Sequence, residues 1–161
     1  MKLKSFLTVM AVFFAFSFCN AGCGNDNETV PQNNENGNEN TNNNSKLKMK
    51  ITIGTAVFTA TLYNNPSTAV LKAMLPLIID MRELNGNEKY YDLPSPLPTN
   101  ASMGGDIKAG DLTLYGNNVL VLFYKSFNTS YSYTKLGYID NPSGLPAAMG
   151  TGNVVLKFEN N

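Results

Sequence analysis

Histidine and tryptophan are absent from all 161 residues, and arginine occurs once, as Arg82. Without histidine the commonest general base is missing, and so are Ser-His and Cys-His nucleophile pairs and most zinc chemistry. Cysteine is limited to Cys19 and Cys23. From residue 46 onward there is no thiol, hence no disulfide framework and no thiolate metal site. Charge is sparse and balanced, 12 basic against 12 acidic residues. No basic cluster interleaved with aromatics stands out, so a nucleic-acid partner is not expected. Asp80, Glu83, Glu88, Asp92, Asp106 and Asp111 are scattered, without calcium-loop spacing. Nothing in this composition asks for a cofactor or a metal.

What is present first is an address. Lys2 and Lys4 precede a 13-residue apolar run from Phe6 to Phe18, followed by the small residues Ala21 and Gly22. A cationic start, a short apolar middle and a small-residue exit are the layout of a secretory signal, and the run is shorter than the roughly 20 residues of a membrane span. Ala21-Gly22-Cys23 resembles the lipobox of bacterial lipoproteins, in which the cysteine becomes a lipidated N-terminus. Asn20 stands where that motif usually has an aliphatic residue. The expectation is a signal segment 1–22, lipidation at Cys23 and a membrane partner through that anchor in the bacterial cell envelope. Plain secretion is the alternative. Residues 24–45 contain ten asparagines and four acids. Too little apolar surface is available there to offset the entropy of ordering. A tether over 23–45 follows, with a reach on the order of 25 Å.

Residues 46–161 are the right length for one domain with one core, and their pattern is mainly β. Lys48 to Ile53 alternates polar and apolar, Gly54-Thr55 turns, and Phe58, Ala60 and Leu62 continue a hairpin. Asn65-Pro66 starts a helix with a capping side chain and a proline at the first helical position. Ala69, Val70, Ala73 and Met74 are its expected apolar stripe, and Pro76 closes it. Further strands are expected over Leu77–Met81, Glu88–Leu93, Asp111–Tyr115, Val119–Tyr124, Tyr133–Ile139 and Val154–Phe158. Asn85-Gly86 and Gly116-Asn117-Asn118 supply turns. Pro94, Pro96 and Pro98 force an extended loop, Ser126 to Ser132 reads as a polar loop, and Leu145 to Met149 as a short helix stopped by Gly150. Eight strands and two helices predict a closed β-barrel plugged at its ends.

Several segments in this order carry a resemblance: Lys50-Ile51-Thr52-Ile53 with Phe58-Thr59-Ala60-Thr61-Leu62, then Gly110-Asp111-Leu112, then Leu120-Val121-Leu122-Phe123-Tyr124. Tyr133 to Asp140 and Ala147 to Val154 complete the set. Together they resemble the small bacterial cyclophilin-like domain family over essentially the whole domain. The resemblance implies an eight-stranded antiparallel barrel with a helix at each end. It does not carry the enzyme with it. Cyclophilins proper place an arginine against a prolyl nitrogen, with the signature Phe-His-Arg, then Phe-Met, then Gln-Gly-Gly-Asp. This chain lacks Phe-His-Arg, and Arg82 lies upstream of the required position. Met103-Gly104-Gly105-Asp106 echoes the glycine pair but reads as a surface turn. Leu114-Tyr115-Gly116-Asn117 fits the signature strand by order, with Tyr115 at the glutamine position.

The residues expected to line a ligand groove are Tyr90, Tyr115, Phe123, Tyr124 and Tyr131, with no catalytic residue assigned. Tyr90 and Tyr91 are neighbours, so one points inward and the other outward. The leading expectation is an envelope-anchored binding module for a peptide or small ligand without efficient prolyl isomerase activity. A divergent prolyl isomerase and a structural envelope subunit are the alternatives.

Overall fold

A computed structural model describes residues 47–161. The signal segment 1–22, the lipidation site Cys23 and the tether 23–45 lie outside the described residues. Nine strands and two helices follow in order. They are β1 (Leu47–Ile53), β2 (Ala56–Leu62), α1 (Pro66–Ala73), β3 (Leu77–Leu84), β4 (Glu88–Asp92) and β5 (Ser102–Ile107), then β6 (Asp111–Tyr115), β7 (Val119–Phe123), β8 (Phe127–Ile139), α2 (Leu145–Met149) and β9 (Val154–Asn160). Hydrogen bonding runs β2-β1-β9-β3-β4-β7-β6-β8, and β8 returns to β2. Eight antiparallel strands thus close a barrel, and β5 lies outside it on β8.

The alternation of each strand decides what fills the barrel. Met49 and Ile51 on β1, Leu112 and Leu114 on β6, Leu120 and Leu122 on β7, and Leu156 and Phe158 on β9 are fully buried in one apolar cluster. α1 closes one end. The Asn65 side chain accepts from the Thr68 amide at 2.9 Å, as an N-cap should. α2 carries Leu145 and Met149 into the same core.

The seam between β2 and β8 depends on one glycine. Leu62 pairs with Gly137, and the Tyr63 amide donates to the Leu136 carbonyl at 2.9 Å. A Cβ on Gly137 would lie 2.4 Å from the Thr61 carbonyl oxygen, a backbone atom that cannot step aside. Gly137→Ala is therefore expected to cost about 1–3 kcal/mol through overpacking, read as a lower urea midpoint. Unchanged stability would show that the seam is looser than this register requires.

Two expectations from the sequence need correction. Met103-Gly104-Gly105-Asp106 is not a surface turn, and Ser126–Ser132 is not a loop. The first belongs to β5, and most of the second to a 13-residue β8, which pair with each other. The register shifts between Met103 and Gly105, and Gly105 takes φ 58° there. Gly104 is needed because a Cβ would meet Thr129 Cγ2 at 2.8 Å. The buried face of α1 is also rotated from the expected stripe. Ala69, Val70 and Ala73 are exposed, while Ser67, Thr68 and Leu71 face inward. Hydroxyl bonds fix that rotation: Thr68 Oγ1 donates to the Leu136 carbonyl at 3.2 Å, and Ser67 Oγ to that of Pro98.

Candidate functional site

On the outside of the barrel wall, a second apolar cluster forms from Ile107, Val121, Phe123 and Tyr133, with Tyr90, Val119 and Phe127 packed against it. Strand alternation explains the division. On β4, Glu88 and Tyr90 stand opposite Phe123 and Val121 of this outer cluster. Lys89 and Tyr91 stand opposite Leu122 and Leu120 of the barrel core. The first half of β8 carries Phe127, Thr129 and Tyr131 beside this face, and a hollow of about 280 Å³ opens between them and β4. That is near the lower end of small-molecule sites, roughly 300–1,000 Å³.

The hollow is walled by aromatic rings. Tyr115 lies 5.7 Å from Tyr133 at a tilt and 6.1 Å from Tyr131 edge-on. Phe123 lies 5.5 Å from both Tyr133 and Phe127, supporting the wall from behind. Rings held by one another in this way present fixed faces to a ligand with little rotamer entropy left to lose. Tyr115 and Tyr131 are 45% and 63% exposed, so large parts of these rings face solvent.

One end of the hollow is polar. Glu88 is only 8% exposed and makes no hydrogen bond or ion pair among the described residues. Burial raises its carboxyl above the usual carboxylate range, and the nearby charge of Glu83 adds to the rise. Its neighbour Asn87 also lines the hollow and has a buried Oδ1 with no hydrogen-bond donor. Across the hollow the Tyr133 hydroxyl is pushed up to about 12, first by burial and then by the negative charge of Glu88.

Of the five residues expected to form a groove, Tyr90, Tyr115 and Tyr131 come together here. Phe123 lies beneath, wholly buried. Tyr124 is elsewhere: it joins the barrel core, and its hydroxyl donates to Glu83 at 2.9 Å. Adjacent residues leaving one strand face opposite sides, which separates Phe123 from Tyr124. Phe127, Thr129, Tyr133, Asn87 and Glu88 are lining residues that the sequence analysis did not single out.

Neither Arg82 nor Lys89 lines the hollow. Arg82 stacks on the Tyr90 ring at 4.6 Å and is ion-paired to Asp92. Lys89 is fully buried and points into the barrel end, where its ammonium meets Glu83 and the carbonyls of Gly150 and Gly152. Among the described residues, no group of three acidic, histidine or cysteine side chains could hold a metal ion.

Comparison with known proteins agrees with this architecture. A family model described as the cyclophilin-like family matches residues 51–159. A hypothetical protein from Archaeoglobus fulgidus, solved in solution, superposes with a TM-score of 0.55 at 16% identity. The match covers 72% of this chain and 95% of that one. At that identity the likeness speaks for the fold alone. Among curated proteins none matches this chain. With the family model spanning nearly all of the barrel, the chain belongs to the cyclophilin-like family.

Proposed function

We propose that this protein is an envelope-anchored binding module that takes a small ligand or a peptide side chain in the outer aromatic hollow, and that it does not isomerise prolyl bonds efficiently. The observation that carries the reading is the set of exposed rings of Tyr115 and Tyr131 above a supported aromatic wall. A chain with no functional use for that surface would gain solubility by placing polar side chains there. Anchoring rests on the Lys2/Lys4 start, the apolar run and Cys23; fatty-acid labelling lost in Cys23→Ala would support it.

The case against isomerisation is chemical. The amide barrier is about 18–20 kcal/mol, and lowering it calls for a fixed cation at the twisted nitrogen in a dry groove. Arg82 is committed to Asp92 and Tyr90, half-exposed, and Lys89 faces the barrel interior. A standard prolyl peptide should therefore show negligible acceleration, and robust turnover would overturn this part of the proposal. Binding is tested by a thermal-shift screen of neutral, cationic and anionic compounds and short peptides. Compounds that stabilise the protein should lose their effect in the Tyr115→Ala/Tyr131→Ala pair. A screen without stabilising compounds, or stabilisation unchanged in that pair, would contradict the hollow as the site.

A further inference from the structure

We infer that the hollow selects an organic ammonium group, with the carboxylate of Glu88 as its counter-charge and the rings of Tyr115, Tyr131 and Tyr133 as its walls. The inference rests on the reading of the hollow as the ligand site and names the ligand class. Two features converge on a cation.

Glu88 is 8% exposed as a residue and has no hydrogen bond or ion pair among the described residues, and its carboxylate oxygens open onto the polar end of the hollow. Such a carboxylate is costly to hold ionised, and the cations that could neutralise it are engaged elsewhere. Arg82 is paired with Asp92, and Lys89 with Glu83 on the other side of the sheet. The aromatic faces carry negative quadrupole charge, and several rings around one cation are the arrangement that alkylated ammonium groups favour.

Other ligand classes fit less well. An anion would be repelled by Glu88, whose charge is felt across the hollow at Tyr133. A neutral apolar group would fill the rings but leave the carboxylate buried without a partner. A cation with an apolar shell satisfies both halves at once. The volume of about 280 Å³ accommodates a compact headgroup rather than a folded peptide segment.

The experiment is calorimetric titration of the full chain with choline and with 3,3-dimethylbutan-1-ol, its neutral isostere of nearly equal shape. Choline is expected to bind about tenfold tighter or more, on the scale of a desolvated cation–aromatic contact. In Glu88→Gln that preference should fall several-fold, to the part the rings alone supply, while the protein stays folded. Equal binding of the two compounds to the wild type, or a preference undiminished in Glu88→Gln, would overturn the ammonium assignment and leave the hollow standing as a site. Absence of choline binding would overturn the assignment too. The binding reading itself falls only if the broader compound screen also yields nothing that depends on Tyr115 and Tyr131.

Discussion

Replacing Lys89 by alanine is expected to destabilise the protein by about 3–5 kcal/mol, the range for breaking a buried ion pair from one side. Lys89 is fully buried, and its ammonium has three donors. All three have acceptors: Glu83, the Gly150 carbonyl at 3.2 Å and the Gly152 carbonyl at 2.5 Å. The nitrogen also lies 5.3 Å from the centre of the Tyr124 ring. Gly150 caps α2, so this single side chain ties the α2–β9 connection to the barrel wall. Alanine would leave two carbonyls without this donor beside a cavity and take the counter-charge from Glu83, which keeps the Tyr124 hydroxyl and the Gly86 amide. In the Lys89→Met/Glu83→Gln pair the charge left behind is neutralised, and part of the loss should return. Equilibrium unfolding measures both, and a cost under 1 kcal/mol for Lys89→Ala would mean that water replaces the lysine freely.

The same cluster has a pH signature. Burial acts to raise the Glu83 carboxyl, but hydrogen bonds from Lys89, Tyr124 and the Gly86 amide outweigh it and hold the group below the usual range. A depressed value in the folded state gives stability that is present above the unfolded value and lost as pH falls through the folded one. Acid should therefore weaken this end of the barrel, and Glu83→Gln should flatten that part of the profile.

Glu88→Gln should have the opposite sign. Burial and then the Glu83 charge raise the Glu88 carboxyl, so the fold favours its protonated form. The contribution of this group is fully present below its unfolded value and lost as pH rises through the raised folded value. Above the unfolded value the fold must either keep a proton on this carboxyl or hold a charge with no partner, and a neutral amide is cheaper to bury. The variant is expected to melt higher than wild type at pH 7, with the gap closing as pH falls below the ordinary carboxylate range, while the ammonium preference falls. A residue kept for function at the expense of stability behaves this way. A lower melting temperature at pH 7 would assign Glu88 to structure instead.

The barrel itself was legible because its eight strands announce themselves through alternation and turn residues, as in Lys48 to Ile53 or the Gly116-Asn117-Asn118 hairpin. The outer strand was not. β5 contains Gly104 and Gly105, which carry no β signal, and the early part of β8 is rich in serine and asparagine. Yet Phe127, Thr129, Tyr131 and Tyr133 recur at every second position, a strand period hidden beneath polar composition. Tyr90, Tyr115 and Tyr131, expected from the sequence to line a groove, lie together at the hollow. Glu88 was not expected there, since a carboxylate in a strand reads as solvated until β7 and β8 are placed around it. The burial of Lys89 was equally hidden: a lysine is almost never fully buried, and its three acceptors come from positions 83, 150 and 152.

The central claim is that ligands enter the outer hollow and not the barrel, and half of the tyrosines line that hollow. Of the eight, Tyr90, Tyr115, Tyr131 and Tyr133 line the hollow. Tyr91 and Tyr124 pack with the barrel core, and Tyr63 and Tyr138 stack on each other 5.8 Å apart. With 3-fluorotyrosine in place of tyrosine, the fluorine NMR spectrum of the chain should move at the first four positions when a stabilising compound is added, and stay fixed at the other four. Shifts confined to Tyr63, Tyr91, Tyr124 and Tyr138 would contradict the account.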